Sequence, residues 1–399
     1  MDAQERPGRA GADGQQAMGN AARDEVLIPS AHVAAAAPDA AQELSRGLGT
    51  GPFTAVFVFA SPTASLASLA EGLGQAFPGT MVLGCTTAGE ISRDGYAENE
   101  IVAIAFPARH FAVDTVCIDN LDDIRPDDLA GRLLRARNGL AGLQPGWAHE
   151  FAFLMVDGMS LREDELTSAF AIGLGPVPLF GGSAGDGTRF RETHVLYEGR
   201  FRSNAAVLAV VRTDCPVRVF SLDHLVPSER RMVVTEADPA RRIVRQINAE
   251  PAAREYARLL GKDPTQLTSF TFAAHPVVVR LGGKHHVRAI QQMADNGDLV
   301  FFSAIDEGLV LTLAEPQNMV EHLDRELRAL NANGAPAAII ACDCILRRME
   351  AEERQMFGAL SAVLQRFRVT GFSTYGEQLN TMHVNQTMTG VAIYPPEVG

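Results

Sequence analysis

Three short glycine-rich segments of the chain carry hydroxyl and carboxyl side chains that could bind a small ligand. Residues 84–90 and 371–377 both read G-x-[ST]-T-x-G-E, and residues 181–186 form a looser third copy. Glycine permits positive φ angles and a close approach of the backbone to a bound molecule. Hydroxyl and carboxyl groups at such positions bond either backbone groups or a ligand. These segments supply the candidate pocket residues Thr86, Glu90, Ser183, Asp186, Thr374 and Glu377.

Ser183 also fits a nucleophile motif, since residues 181–185 read G-x-S-x-G. In hydrolases of that type, the serine lies on a strained turn between a strand and a helix. Here the sequence Asp-Gly-Thr follows at residues 186–188, which favours a turn, although His194 and His224 lie downstream. A serine hydrolase that uses Ser183 is therefore a remote alternative. A glycine-rich loop that lines a pocket, or that is purely structural, fits the pattern better.

A second group of candidate residues lies near the C terminus, in residues 382–388. If this segment is extended, His383, Asn385 and Thr387 share one face, which is polar and carries an imidazole. A single histidine in such a place is more often a hydrogen-bonded structural residue than a ligand to an ion. Both roles remain open from the sequence, and His383 and Asn385 are retained as candidates.

Two arginines follow an apolar run that ends at Cys344, a further candidate pocket residue. A buried strand that ends in a thiol and is followed by Arg347 and Arg348 could place two cations beside a pocket. The alternative is ordinary ion pairing along a helix with the glutamates at residues 350–353.

Nucleotide-binding and zinc motifs are absent from the sequence. No G-x-G-x-x-G joins a strand to a helix, and no G-x-x-x-x-G-K-[ST] occurs. There is also no H-E-x-x-H and no Cys-x-x-Cys pair. A phosphate cradle and a dedicated zinc enzyme are therefore unsupported, because those chemistries need these residues at these spacings.

The composition of the 399 residues is that of a globular protein, with 46% hydrophobic and 21% charged residues. A formal net charge of −13 argues against a nucleic-acid partner. No apolar run approaches the length that would cross a membrane, and the first residues lack the apolar segment of a secretory signal. Five scattered cysteines are typical of reduced thiols. We therefore predict a cytoplasmic protein with no membrane or nucleic-acid partner.

Alternating apolar runs and amphipathic stretches predict a mixed α/β fold of two lobes, whose largely antiparallel or mixed sheets are flanked by helices. The two matching heptapeptides predict that the lobes are related. Residues 1–22 are predicted to be a flexible tail, residues 23–240 an N-terminal domain and residues 241–399 a C-terminal domain.

Four local predictions can be compared directly with a structure. The strands at residues 101–106 and 113–118 are expected to be neighbours, and residues 239–260 are expected to form helices broken near Pro251. Residues 277–313 are expected to form an antiparallel meander of four strands. Residues 349–367 are expected to form one long helix.

The chain resembles the FIST sensory family in its two-part form, with N- and C-terminal modules. The resembling segments span most of the chain in order and spacing: residues 84–91, 156–160, 180–187, 343–348, 371–377 and 382–387. Within that family the chain is most similar to the nitric-oxide-sensing branch, NosP. This resemblance implies a bacterial sensor without catalytic activity, which regulates a partner histidine kinase or cyclic-di-GMP enzyme.

The same resemblance implies a b-type haem that binds nitric oxide. A haem needs an apolar slot, an axial donor and cations beside its propionates. On this interpretation His383 is the expected axial ligand to the iron, His275 is the reserve, and Arg347 and Arg348 face the propionates.

The competing hypothesis is a module without haem that binds an amino acid or another small metabolite between the lobes. Ser183, Asp186, Thr374 and Glu377 would then supply the polar contacts.

Overall fold

The computed structural model describes residues 27–281, 283–332 and 334–396, so the predicted tail at residues 1–22 lies outside the described residues. The predicted fold class is confirmed, because the chain is mixed α/β with mixed and antiparallel sheets flanked by helices. None of the helices in the described ranges is long and apolar enough to span a membrane.

The first unit, residues 30–107, alternates strands and helices and then forms a hairpin and a final strand. Its apolar runs, such as that of residues 55–60, are wholly buried, as is typical of strands covered on both faces. The elements are β1 (Ser30–Ala34), α1 (Ala40–Leu48), β2 (Phe53–Ala60), α2 (Leu66–Ala76), β3 (Met81–Thr86), β4 (Glu90–Ser92), β5 (Gly95–Ala97) and β6 (Glu100–Pro107).

The second unit, residues 111–213, repeats this order of elements. Its first helix begins with Pro126, which suits the first turn because proline lacks the N–H that would be unpaired there. The elements are β7 (Phe111–Ile118), α3 (Pro126–Leu143), β8 (His149–Val156), α4 (Glu163–Leu174), β9 (Leu179–Ser183), β10 (Val195–Tyr197), β11 (Arg200–Arg202) and β12 (Ala206–Thr213).

The third unit begins with β13 (Val217–Leu222), and a long insertion follows before the same order resumes. The insertion contains β14 (Leu225–Asp238), β15 (Ile243–Ile247), β16 (Glu250–Pro251), α5 (Ala252–Leu260), α6 (Ser269–Ala274), β17 (Val277–Leu281), β18 (Lys284–Arg288), β19 (Ile290–Met293), β20 (Leu299–Phe301) and β21 (Val310–Pro316). The unit then continues with α7 (Met319–Ala329), β22 (Ala338–Cys344), α8 (Ile345–Glu353), α9 (Phe357–Arg366), β23 (Val369–Thr374), β24 (Glu377–Leu379), β25 (Met382–Val384) and β26 (Met388–Ile393).

Each unit contributes to a six-stranded sheet of the same design. The strand orders are β1-β6-β2-β3-β10-β11, β7-β12-β8-β9-β24-β25 and β13-β26-β22-β23-β4-β5. Within the described residues, each of these sheets has one parallel pair, β2–β3, β8–β9 or β22–β23, and its two strands are linked by one helix or, in unit 3, by two. The internal similarity seen in the heptapeptides of units 1 and 3 therefore extends to unit 2.

The three sheets exchange their hairpins in a cycle. The hairpin of unit 1, β4–β5, pairs with the sheet of unit 3, and that of unit 3, β24–β25, pairs with the sheet of unit 2. The hairpin of unit 2, β10–β11, pairs with the sheet of unit 1. Each unit is thus completed by another, and no unit could bury all its strand edges alone.

The central core lies where the inner faces of the three sheets meet. Phenylalanines dominate it, with Phe59 of unit 1 stacked on Phe372 of unit 3 at 4.5 Å and Phe153 stacked on Phe180 at 4.5 Å in unit 2. The outer face of each sheet is covered by its own helices. The insertion forms a separate eight-stranded sheet with a core of its own, packed with α5 and α6.

Several local predictions were wrong. The strands at residues 101–106 and 113–118 became β6 and β7, which lie in different sheets. Residues 239–260 contain β15 before α5, because the sequence Ile-Val-Arg-Gln-Ile has a β-branched pattern that suits a strand. The four runs at residues 277–313 do not form a simple meander, since β14 and β15 lie between β21 and β20.

Two further segments break where continuity was expected. Residues 349–367 form parts of α8 and α9 and are interrupted at Gln355, whose φ is +57°. Strand β25 ends at Val384, and Gln386 has a φ of +49°. Asn385 and Thr387 therefore do not continue the face that carries His383.

Candidate functional site

Three loops meet at one end of the three sheets, each directly after the second strand of a parallel pair. Backbone hydrogen bonds tie the loops into a ring. Ala88 N donates to Ser373 O at 2.8 Å, Ser183 N donates to Gly376 O at 2.8 Å, and Gly185 N donates to Thr86 O at 3.0 Å. The carboxyl ends of parallel strands are a common position for a binding site in α/β proteins.

The two matching heptapeptides form the same hydrogen bonds. In unit 1 the Thr87 hydroxyl donates to Glu90 Oε1 at 2.5 Å, and Glu100 N donates to Glu90 Oε2 at 3.1 Å. In unit 3 the Thr374 hydroxyl donates to Glu377 Oε1 at 2.5 Å, and Thr387 N donates to Glu377 Oε2 at 3.2 Å.

The threonine and glutamate of each motif thus hold the loop against a backbone N–H group at the start of a later strand, or one residue before it. The first glycine of each copy also lies against the carbonyl of the neighbouring strand, at Val58 for Gly84 and at Ala341 for Gly371, which leaves no room for a Cβ.

The two motif glutamates are buried and hold their protons more tightly than exposed carboxyls do. Burial raises the pKa of Glu90 to about 7, while the hydrogen bond from Thr87 acts in the opposite direction. Burial raises the pKa of Glu377 to about 8, with Thr374 and Thr387 lowering it. Both groups therefore titrate close to neutral pH.

A cavity of about 320 Å³ opens beside the unit 1 loop. Its walls come from residues 61–63 and 87–90 of unit 1, residues 186–189 of unit 2, and α8 of unit 3, with Glu98 and Asn99 at its rim. This volume lies at the lower end of the range, about 300–1,000 Å³, that is usual for small-molecule sites. All three units therefore contribute to one pocket.

The cavity is rich in acidic groups but contains one well-fixed cation. Arg348 is only 2% exposed, donates to the carbonyl of Ala97 at 3.0 Å, and pairs with Glu98 at 3.0 Å. Gly89, with a φ of +134°, lies directly against its guanidinium group. Four carboxyl side chains and two guanidinium groups line the cavity: Glu90, Glu98, Asp186, Glu352, Arg189 and Arg348.

Asp186 joins the second loop to the third. The Tyr375 hydroxyl donates to Asp186 Oδ1, and the backbone N–H groups of Arg191 and Glu192 each donate to Oδ2 at 3.1 Å. Tyr375 also accepts from Asp186 N at 3.0 Å. A change at the cavity wall formed by Asp186 would therefore reach unit 3 through Tyr375.

Arg347 lies outside this cavity, in a buried network. Its Nε donates to Asp343 Oδ1 at 2.7 Å, and its Nη1 lies 2.8 Å from His224 Nδ1. His224 Nε2 lies 2.9 Å from Glu350 Oε2, and the Tyr96 hydroxyl donates to Asp343. Asp343 and Arg347 have no exposed side-chain surface, so Arg347 cannot approach a propionate.

Ser183 is buried, and its hydrogen-bond partners are not those of a hydrolase nucleophile. Its hydroxyl lies 3.4 Å from Glu163 Oε1 and accepts from Gln378 Nε2 at 3.0 Å. None of its partners among the described residues is a histidine, and the segment that follows β9 is a turn and not a helix. The geometry of the nucleophile elbow is therefore not formed.

A group of buried polar atoms without partners surrounds His383, which is 2% exposed. Nδ1 of His383 lies 3.4 Å from Gln378 Nε2, whereas Nε2 has no hydrogen-bond partner among the described residues. The side-chain amide of Asn385 and the Oε1 of Gln378 are also unpartnered there. Burial lowers the pKa of His383, so the imidazole is neutral near pH 7. Ordered water commonly satisfies such groups.

The residues predicted to hold a haem do not fit one in this structure. The Cε1–Nε2 edge of the His383 ring lies against Gly376, and neither His383 nor His275 lines the 320 Å³ cavity. His275 ends α6 and is half-buried, and its carbonyl accepts the Tyr256 hydroxyl. Of the four haem candidates, only Arg348 reaches the cavity.

Purified protein mixed with haem is therefore expected to show no one-to-one Soret band that depends on His383. The wild type, His383→Ala and His275→Ala are compared by titration in the visible spectrum. A stoichiometric band that disappears only in His383→Ala would contradict this expectation and would restore the predicted axial ligand.

The structure divides the predicted pocket residues into two sets. Glu90, Asp186 and Arg348 line the cavity, and Thr86 lies next to it, where its hydroxyl accepts from His194 N at 3.0 Å. The remaining residues are buried away from that cavity: Ser183, Cys344, Thr374, Glu377, Asn385 and His383. Thr87 also lines the cavity and was not predicted, although its match with Thr374 could have indicated it. The rim residues Glu98 and Asn99 carried no signal in the sequence.

A cavity shared by three related α/β units defines a ligand-binding module. The FIST N domain family matches residues 54–250, and the FIST C domain family matches residues 252–380. The chain belongs to the FIST family, whose domains are sensory modules that bind small ligands in signal transduction. No curated protein matches the chain in sequence.

Proposed function

We propose that this chain is a cytoplasmic sensory protein that binds a small zwitterionic metabolite, of amino-acid size, in the cavity shared by the three units. The observation that carries the proposal is the convergence of Glu90, Asp186 and Arg348 on one cavity of about 320 Å³. The five cysteines are unpaired, which suits a reducing compartment.

The charges of the cavity favour a ligand that bears both an ammonium and a carboxylate group. Carboxyl groups such as Glu90 suit an ammonium, and the fixed guanidinium of Arg348 suits a carboxylate through paired hydrogen bonds. Glu90 still has lone pairs available, because an ionised carboxylate offers about four acceptor sites. The side chains of Ile345 and Met349 supply an apolar wall.

Binding of the ligand in the cavity would be signalled to another protein. The predicted partner is a histidine kinase or a cyclic-di-GMP enzyme. A ligand that contacts all three units favours the arrangement in which the units fit it best. The ring of backbone bonds between the loops and the Asp186–Tyr375 contact provide the physical path between units. The chain itself carries out no reaction on this proposal.

The expected result is that an amino acid binds more tightly as the pH rises from 6 to 8. The reason is that Glu90, with a pKa of about 7, becomes ionised over this range and attracts the ammonium group. With this pKa, about a tenth of Glu90 is ionised at pH 6 and about nine-tenths at pH 8, so affinity should rise roughly tenfold. Thermal-shift screening of amino acids followed by calorimetry at both pH values measures this.

Variants separate the cavity from general effects. Glu90→Gln should abolish the pH dependence of binding. Arg348→Ala should weaken the binding of ligands that bear a carboxylate and should affect the binding of simple amines less. Glu198→Gln, which removes an exposed carboxylate outside the cavity, is the control and should leave both properties unchanged. If no amino acid or amine binds, or if binding is the same in Glu90→Gln and Arg348→Ala, the proposal fails.

The nitric-oxide-sensing assignment stays a prediction of the resemblance alone. A haem sensor would need an axial histidine that faces an open apolar slot, and His383 faces Gly376 instead. The zwitterion proposal has the stronger physical support because its three charged residues meet in one cavity.

A further inference from the structure

A cluster of nitrogen, oxygen and sulfur donors lies at the end of the sheets opposite the cavity. His110 lies in the turn between β6 and β7, which joins units 1 and 2. Asp214 and Cys215 lie in the turn between β12 and β13, which joins units 2 and 3. The register places both turns at the start of the parallel strands, because Pro107 pairs with Phe53 and Thr213 pairs with His149.

The three side chains are mutually close. Nδ1 of His110 lies 3.1 Å from each carboxylate oxygen of Asp214, and Sγ of Cys215 lies 3.4 Å from Asp214 Oδ1. One donor atom from each residue can be chosen so that all three lie within 4.8 Å of one another.

Two of these separations are close to the edges of a tetrahedral coordination sphere. Zinc binds histidine nitrogen and carboxylate oxygen at about 2.0–2.2 Å and thiolate sulfur at about 2.3 Å. For tetrahedral angles, those bond lengths place neighbouring ligand atoms roughly 3.3–3.6 Å apart. The His110–Asp214 and Asp214–Cys215 separations of 3.1 and 3.4 Å are close to this range, and the donor atoms of His110 and Cys215 lie within 4.8 Å of each other.

We propose that His110, Asp214 and Cys215 form a site for a divalent transition metal, with Zn²⁺ the best match. A mixed nitrogen, oxygen and sulfur donor set suits a borderline-soft ion more than Mg²⁺ or Ca²⁺, which prefer oxygen donors. The bound ion replaces the hydrogen bonds within the cluster, and the thiol proton passes to solvent as the metal–sulfur bond forms.

Exposure leaves room for an ion to enter and for a fourth ligand. The side chains of His110 and Asp214 are 21% and 31% exposed, whereas Cys215 is fully buried beneath them. Water can therefore take the open coordination position. The ion would join the two turns that connect the three units, at a position independent of the ligand cavity.

Cobalt is the probe for the experiment, because tetrahedral Co²⁺ with a thiolate ligand has intense visible and near-ultraviolet bands. Chelator-treated protein without an affinity tag is titrated with Co²⁺ and then with Zn²⁺. The expected result is one Co²⁺ per chain with a sulfur charge-transfer band, which Zn²⁺ displaces. The His110→Ala and Cys215→Ser variants should each lose the band and at least about tenfold in affinity.

Cys117→Ser is the matched control, because this cysteine lies on the neighbouring strand β7 outside the cluster. It should keep the wild-type spectrum and stoichiometry. Circular dichroism and thermal unfolding report whether each variant is folded. The proposal is overturned if the wild type binds no Co²⁺, if folded Cys215→Ser and His110→Ala bind it unchanged, or if Cys117→Ser loses the band equally.

Discussion

Replacing Arg347 by alanine is expected to lower the free energy of unfolding by about 3–5 kcal/mol. The reason is that Asp343, which is fully buried, would lose the guanidinium group that lies 2.7 Å from it. His224 would lose its 2.8 Å contact at the same time. A charge left unpaired in the interior costs far more than an exposed one, because water cannot reach it. Denaturant unfolding of the wild type and the variant measures the difference.

The chain contains a matched control for this prediction. Arg328 and Asp324 have the same sequence separation and the same 2.7 Å distance, but Arg328 is 60% exposed. Arg328→Ala should therefore cost at most about 1 kcal/mol. Similar losses in the two variants would show that burial does not decide the effect.

A double variant tests whether the stranded charge is the cause. Adding Asp343→Asn to Arg347→Ala removes the unpaired carboxylate and should recover part of the lost stability. If the double variant is less stable than Arg347→Ala by the full cost of Asp343→Asn alone, the two residues do not interact as described.

The second large effect is on the pH dependence of stability. Glu377→Gln is expected to remove a decrease of about 4 kcal/mol in the free energy of unfolding between pH 4.5 and about 8. In the folded chain Glu377 keeps its proton up to a pKa of about 8, whereas the unfolded chain releases it near 4.5. The folded state binds more protons over this interval, so its stability falls as the pH rises.

The difference between variant and wild type isolates this contribution. Burial lowers the pKa of His224, His322 and His383. These histidines make the folded state less stable as the pH falls, which is opposite to the effect of Glu377. Unfolding curves at half-unit intervals of pH give the slope for each protein. Glu198→Gln, at a carboxylate that is exposed, should keep the wild-type slope. Parallel curves for wild type and Glu377→Gln would refute the prediction.

The match between residues 84–90 and 371–377 was visible in the sequence because the same backbone geometry requires the same residue types. Gly84 and Gly371 have no space for a Cβ, and Thr87 and Thr374 each close a hydrogen bond onto the glutamate three residues later. Unit 2 carries only the looser copy at residues 181–186, because its loop has Ala184 where the other two have a threonine. The order of its strands shows that it is equivalent to units 1 and 3.

Side-chain partners from distant parts of the chain could not be predicted. Arg347 and Arg348 are adjacent in sequence, yet one lies in a buried network and the other lines the cavity. The local sequence is the same for both, and successive residues of a helix point in different directions. Asp343 lies only four residues before Arg347, but the partners His224, Ala97 and Glu98 come from distant elements that only folding brings together.

The sequence by itself determined the mixed α/β class, most strands and helices, and the two matching loops, because apolar periodicity and glycine placement are local properties of the chain. Only the tertiary structure decided that each hairpin crosses to another unit's sheet, and that the loops of units 1 and 2 and helix α8 of unit 3 line one cavity. Strand edges pair through backbone groups that nearly all residues share, so the sequence of a hairpin does not specify the sheet with which it pairs. The shared cavity follows from that exchange.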